Sequence, residues 1–227
     1  MNENNILSTF IKICNNKSEK QIEIIEKYYK ANNMTKNDIM MNNNKALRIA
    51  CRDSNKDLFI WLKNKCHIIK SDIVDYKIYS LYEYMTESDK RTNLEIICFD
   101  GTLDMMELLC ELFYNDGIID DIMQYFVDMC QMNRIEQIKF ICDNYEISRD
   151  SAIDGMINGC IEGHLELVKY LHQEYEFTKN EMSTDCNYAY CYSVYNKHNN
   201  ITRWLEEKWN YNANTLYCHI IPMNQKY

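Results

Sequence analysis

The chain has 227 residues, 46% apolar and 26% charged, a balance that excludes wholesale disorder, a membrane bundle and a disulfide mini-scaffold. Lys and Arg total 25 against 34 Asp and Glu, a formal charge of -9 with no basic block, so the stripe that displaces counterions from nucleic acid is lacking and no nucleic-acid partner is expected. With 5 glycines and 1 proline, backbone breakers are too few for a turn-rich β-sandwich or barrel and favour helices joined by polar turns.

The opening residues, MNENNILSTFIKIC, carry no basic segment followed by a long apolar one. No run approaches the roughly 18 apolar residues that span a bilayer. The expectation is a soluble, intracellular protein of a reducing compartment with no membrane partner. The 11 cysteines are odd in number and are read as small buried hydrophobes rather than a disulfide framework.

Taken in chain order, the cysteines mark an internal repeat. The first repeat, 7–40, has Cys14 as its origin and fits the pattern with about three extra residues in the turn that follows. The second, 41–72, is built on Cys51 in LRIACRDSNKDLFIWLKNKCHII, and the third, 88–120, on Cys98 in LEIICFDGTLDMMELLCELF. Between them an insert at about 69–91 is expected to lengthen a helix or add a loop; its Tyr76, Tyr79, Tyr82 and Tyr84 read equally as packing and as a contact surface. Repeats 121–150 and 151–183 take Cys130 and Cys160 as origins. In the last, 184–215, Val194 stands in that place, and 216–227 form a tail. In the four central repeats a polar turn follows the origin, and the eleventh residue beyond it (Leu62, Leu109, Ile141, Leu171) is apolar. Around those residues the spacing predicts a second short helix antiparallel to the first.

A second register lies fifteen to seventeen residues beyond the origins: Cys66-His67-Ile68, Tyr145-Glu146-Ile147, Tyr175-Glu176-Phe177 and Trp209-Asn210-Tyr211. Together with the run Gly163-His164-Leu165-Glu166 followed by Leu167, Val168, Tyr170 and Leu171, a period near 33 residues resembles the ankyrin repeat. Asp100-Gly101-Thr102-Leu103-Asp104 and Lys197-His198-Asn199-Asn200-Ile201 are weaker copies. The family's opening Thr-Pro-Leu-His survives only as Thr92 and Leu94, and Cys66, Tyr145, Tyr175 and Trp209 replace the glycine that ends its second helix. The Asn-, Ile-, Lys- and Tyr-rich character is similar to ankyrin proteins of amoeba-infecting giant DNA viruses, for which the compartment would be the host cytoplasm. The resemblance implies an all-α fold. It would be a single α-solenoid over 1–227, made of stacked helix-turn-helix ankyrin-like repeats with reduced or absent β-hairpin fingers.

Other chemistries find weaker patterns. Cys186, Cys191, His198, Cys218 and His219 are the nearest approach to a zinc set, but they lack the paired spacing of a finger or knuckle. His164 and His198 fall in turns, where the family's histidine makes structural hydrogen bonds. His67 falls at a helix end that suits a cation, and His172 has no persuasive sequence neighbour. Gly155, Gly159 and Gly163 are spaced by four without a following Lys-Ser/Thr, which reads as close packing rather than a phosphate cradle. Asp116, Asp120 and Asp121 read as a solvated turn.

The resemblance places the two residues after each origin on a concave, partner-binding face: Arg52-Asp53, Phe99-Asp100, Gln131-Met132, Ile161-Glu162 and Tyr195-Asn196. Phe99, Met132, Ile161 and Tyr195 would be apolar anchors in a polar rim; the alternative is that they pack between repeats. Asp53, Asp100 and Glu162 match a partner with some basic character. The expectation is a monomeric, non-enzymatic module that binds an unknown protein partner and uses no cofactor or metal. The competing expectation is an enzyme or metal-dependent protein hidden in a degenerate repeat scaffold.

Overall fold

The computed structural model describes residues 3–74 and 91–212, and within them every side chain except those of 3–4, 41–43 and 184–186. Tyr76, Tyr79, Tyr82 and Tyr84 of the insert, and Cys218 and His219 of the tail, lie outside the described residues. Among the described residues every regular element is a helix, and none is long and apolar enough to cross a membrane.

The chain divides into two compact units, Met1–Ile122 and Met123–Tyr227. The amino-terminal unit holds α1 (Glu3–Cys14), α2 (Gln21–Ala31), α3 (Lys36–Arg52), α4 (Lys56–Cys66), α5 (Lys70–Val74), α6 (Asn93–Phe99) and α7 (Leu103–Phe113). A 3-10 turn, Tyr114–Asp116, and α8 (Ile118–Met123) lead out of it. Its helices start where a polar residue precedes an apolar periodic run. Thr35 accepts from the Asp38 amide while the Asp38 carboxylate accepts from Thr35, and Thr92 and Glu95 form the same reciprocal cap, each satisfying amides that a helix start leaves without partners. α1 packs on α2 and α3, α3 on α4 and α6, and α6 on α5 and α7. Phe10, Ile25, Leu47, Leu58, Phe59, Leu62, Ile97 and Phe113 lie fully buried among them, each large side chain contributing roughly 1.5 to 3 kcal/mol of transfer free energy.

The turn after Cys14 runs from residue 15 to 20, where the turn after Arg52 needs only 53 to 55. Gln21 holds the longer turn: its buried amide donates to the Cys14 carbonyl at 2.7 Å, and its carbonyl accepts from Asn55 Nδ2 at 2.8 Å. The acidic stretch NDGIIDD keeps its first half as the expected turn, with Asp116 exposed, and differs from it in the second half. Gly117 takes a left-handed φ of 73°, α8 begins at once, and Asp121 pairs with Lys70 at 2.7 Å. Buried Ile118 and Ile122 drive the difference, because two apolar residues one helical turn apart give α8 a face to bury.

The carboxy-terminal unit holds α9 (Phe126–Gln131), α10 (Ile135–Asn144), α11 (Arg149–Glu162), α12 (Leu165–Tyr175), α13 (Lys179–Met182), α14 (Thr184–Tyr195) and α15 (Asn199–Trp209). Here α11 packs against α9, α12 and α14. A Cβ on Gly155 would stand 2.7 Å from Cys130 Sγ and 3.1 Å from Phe126, and one on Gly159 would stand 3.2 Å from Val168. The two glycines therefore let α11 approach the preceding first helix and its own second helix. Ser148 and Thr178 cap α11 and α13. Arg149 donates to the Glu181 carboxylate and to the Tyr175 carbonyl, tying the start of α11 to the segment before α14.

The second register is a structural plug. Ile68, Ile147, Phe177 and Tyr211 are 2%, 8%, 2% and 4% exposed, while His67, Glu176 and Asn210 before three of them take left-handed conformations that end the second helix. The left-handed position thus falls one residue after Cys66, Tyr175 and Trp209, which remain helical. Tyr145 is extended instead.

Candidate interaction face

Each origin lies within the last three residues of a helix: Cys14 in α1, Cys51 in α3, Cys98 in α6, Cys130 in α9, Cys160 in α11 and Val194 in α14. The five cysteines are at most 1% exposed, whereas Val194 is half-buried. The Cys130 sulfur faces Gly155 of the next first helix.

The turns that follow Cys51, Cys130, Cys160 and Val194 repeat at the level of single hydrogen bonds. Three residues on, Ser54, Asn133, Gly163 and Lys197 take left-handed φ values of 50°, 55°, 89° and 62°. Four residues on, the amides of Asn55, Arg134, His164 and His198 donate to the carbonyls of Ala50, Met129, Gly159 and Ser193 at 2.9, 2.9, 2.8 and 2.8 Å. Such a bond closes a helix C-terminus and satisfies a carbonyl that the helix leaves open. Only Gly163 announces this turn in the sequence; Ser, Asn and Lys bear a strained backbone elsewhere. Gly163 has a second reason to be glycine, since a Cβ there would stand 2.7 Å from the His198 ring.

In the carboxy-terminal unit the turns are tied to one another. His164 Nε2 lies 2.8 Å from the Gln131 carbonyl, and His198 Nε2 lies 2.9 Å from the Ile161 carbonyl. Asn196 Nδ2 donates to the same Ile161 carbonyl at 2.8 Å, and Gln131 Nε2 to the Glu162 carboxylate at 3.3 Å. Backbone and polar side chains are thereby occupied, while Met132 and Tyr195 stand 53% and 58% exposed. Ile161 is half-buried and Glu162 exposed.

The corresponding residues of the amino-terminal unit are engaged differently. The Arg52 guanidinium donates to both Asp53 oxygens, at 2.8 and 3.3 Å, and to Asn15 Oδ1 at 3.3 Å. Lys17 stands 3.9 Å from Asp53. The hydrogen bonds from Arg52 hold the Asp53 carboxyl below the ordinary carboxylate range. Arg91 pairs with Asp100, and Arg48 Nη1 donates to the Arg91 carbonyl at 2.6 Å. Phe99 is half-buried. Of the four apolar anchors read from the sequence, then, Met132 and Tyr195 present large apolar surface, whereas Phe99 and Ile161 bury much of theirs.

Other candidate chemistry resolves into packing. Burial pushes the Cys14 thiol up to about 12 and the Cys66 thiol up to about 11, and it raises Cys51, Cys130 and Cys160 as well. These sulfurs therefore stay protonated at neutral pH and are poor nucleophiles or metal ligands. Of the zinc-like set, Cys191 is buried and His198 is bound to the Ile161 carbonyl, and the Cys186 side chain lies outside the described ones. Among the described residues no three His, Cys, Asp or Glu side chains cluster as a metal site. His172, which had no persuasive sequence neighbour, packs edge-on to Trp204 and Trp209 with ring centroids 5.5 and 5.3 Å away. That contact joins α12 to α15, whose residues lie about one repeat apart, so no local pattern could reveal it.

No protein-family model, curated protein or solved structure matches the chain.

Proposed function

We propose that this protein is a non-enzymatic interaction module, an ankyrin-like stack of helix pairs that captures a partner protein on the turn-proximal ends of its first helices. The reading rests on the resemblance in sequence and on one observation: Met132 and Tyr195 hold large apolar surface in water at equivalent turns whose backbone and polar groups are already engaged. A turn whose backbone is held in this way is ordered before binding, so ordering of the main chain adds little to the cost of association. Exposed Met and Tyr are also types enriched at interface centres.

The test compares the wild-type chain with Met132→Asp/Tyr195→Glu after circular dichroism shows equal helicity. Proteins captured from lysate are then made recombinantly and titrated directly. A partner whose affinity falls tenfold or more, about 1.4 kcal/mol, in the double variant supports the reading. Equal affinity for both chains overturns it.

A further inference from the structure

We infer that the first-helix face of the carboxy-terminal unit takes a Lys- and Arg-rich segment of its partner; this rests on the interaction reading above and names the partner's chemistry. Aligning the repeats on their origins puts Asp128 and Gln131 of α9 in register with Asn158 and Ile161 of α11 and with Tyr192 and Tyr195 of α14. One helical turn earlier, Asp154 of α11 matches Tyr188 of α14. These positions form parallel stripes on consecutive first helices, because α11 packs between α9 and α14. Their ends are joined by the bonds from Gln131 to Glu162 and from Asn196 to Ile161.

Crossing from α9 to α14, the stripes change from carboxylate to aromatic. Asp128, Asp154 and Glu162 are exposed. On α14 the Tyr188 and Tyr192 rings lie 4.1 Å apart, and Tyr192 meets Tyr195 edge-on at 6.2 Å. Neither α9 nor α14 contains a Lys or Arg, and the one Arg of α11, Arg149, is bound to Glu181. Of the unit's other cations, Lys139, Lys169, Arg203 and Lys208 sit on the second helices, Lys179 on α13, and Arg134 and Lys197 in the turns. A carboxylate band beside a tyrosine ridge offers a cationic side chain both an ion pair and a ring face, and guanidinium suits both because it is planar and weakly hydrated. A second copy of this chain is a poor occupant, since it carries net charge -9 and no basic block of its own.

The test selects binders from a display library of random dodecapeptides on the full chain and titrates the best one, fluorescein-labelled, by anisotropy. The expected result is enrichment of Lys and Arg and weakening as NaCl rises. Affinity should fall about tenfold in Asp154→Lys/Glu162→Lys, through like-charge contact, and severalfold in Tyr192→Ser. Asp154→Asn/Glu162→Gln serves if the reversal unfolds the chain. Acidic or apolar peptides that are lost in Met132→Asp/Tyr195→Glu would overturn the basic-segment inference alone. Peptides indifferent to every substitution would overturn both readings. Selection of no peptide, or a dimer in sedimentation that covers Tyr195, would overturn the basic-segment inference.

Discussion

The amino-terminal unit shares one turn with the carboxy-terminal unit, the one after Cys51, and uses it differently. After Cys51 the two following residues turn on each other, as Arg52 clasps Asp53, and after Cys98 the Asp100 carboxylate is taken by Arg91. After Cys160 and Val194 the tying is done by histidine and amide side chains reaching backbone carbonyls of the preceding repeat, and after Cys130 by Gln131 donating to the Glu162 carboxylate. Ion pairs between exposed side chains cover a surface, whereas bonds to backbone fix the chain and leave adjacent side chains free to meet a partner. Position in a repeat therefore does not decide whether a residue is available; the groups brought beside it do.

The largest expected effect breaks the seam peculiar to the carboxy-terminal unit. Gly163→Val should cost roughly 3 kcal/mol, from a left-handed backbone and from overlap with His198. Ser54→Val at the matching turn, which already carries a side chain, should cost clearly less. Urea denaturation of both variants checks this, and His198→Ala should recover part of the Gly163→Val loss; full additivity would show that the ring is not the obstacle. Cys130→Leu comes next, at about 1 to 3 kcal/mol, because its sulfur stands only 2.7 Å from where a Gly155 Cβ would be and a branched side chain overpacks that contact. A Cys130→Leu chain with unchanged stability would mean that α9 and α11 can separate freely.

The smallest effect is in pH, and it distinguishes the units by where it begins. In the amino-terminal unit the Trp61 indole N–H, Lys30 and Lys65 hold Glu26 down to about 2, and Arg149 and Thr178 do the same for Glu181 in the other unit. A depressed carboxylate contributes stability above its ordinary 4.5, and that contribution is lost as pH falls toward about 2. His172 acts at higher pH: burial, then Lys208, disfavour its charged form against the opposing pull of Glu176, so it lies below its ordinary 6.5. The fold prefers the neutral ring, and stability declines as pH drops below 6.5. Peptide-resolved hydrogen exchange, corrected for intrinsic rates, should show α12 and α15 loosening before α2 and α4 as pH is lowered from about 7 to about 4. His172→Gln should abolish that lead; its persistence would place the acid-sensitive group elsewhere.

Much of the helical framework was legible from local pattern. A small residue closing one apolar run and a large one eleven places later predicted buried positions, and Leu62, Leu109, Ile141 and Leu171 are at most 1% exposed. Caps at Thr35, Thr92 and Thr178 follow the same logic, since the groups that satisfy a helix start lie within three residues of it. The interaction face was legible only as positions. Phe99 and Tyr195 look alike in register, yet one is half-buried and the other exposed, because exposure depends on residues packed from other helices. The tyrosine stripe on α14 could have been read from the four- and three-residue steps among Tyr188, Tyr192 and Tyr195, and only its alignment with Asp154 and Asn158 gives it meaning.

Local pattern alone shows that this chain forms helices, that they recur in pairs after a small buried residue, and which residues at the origins and eleven places on leave water, because apolar periodicity and scarce glycine and proline act locally. The tertiary structure decided the rest. It set the left-handed turns at Ser54, Asn133 and Lys197, the His172 contact with two tryptophans, the clasp that covers Asp53 and the openness of Met132 and Tyr195. The physical reason is range: helix propensity and capping act over three or four residues, while a packed neighbour about thirty residues away determines which backbone strain is tolerated and which surface remains for a partner.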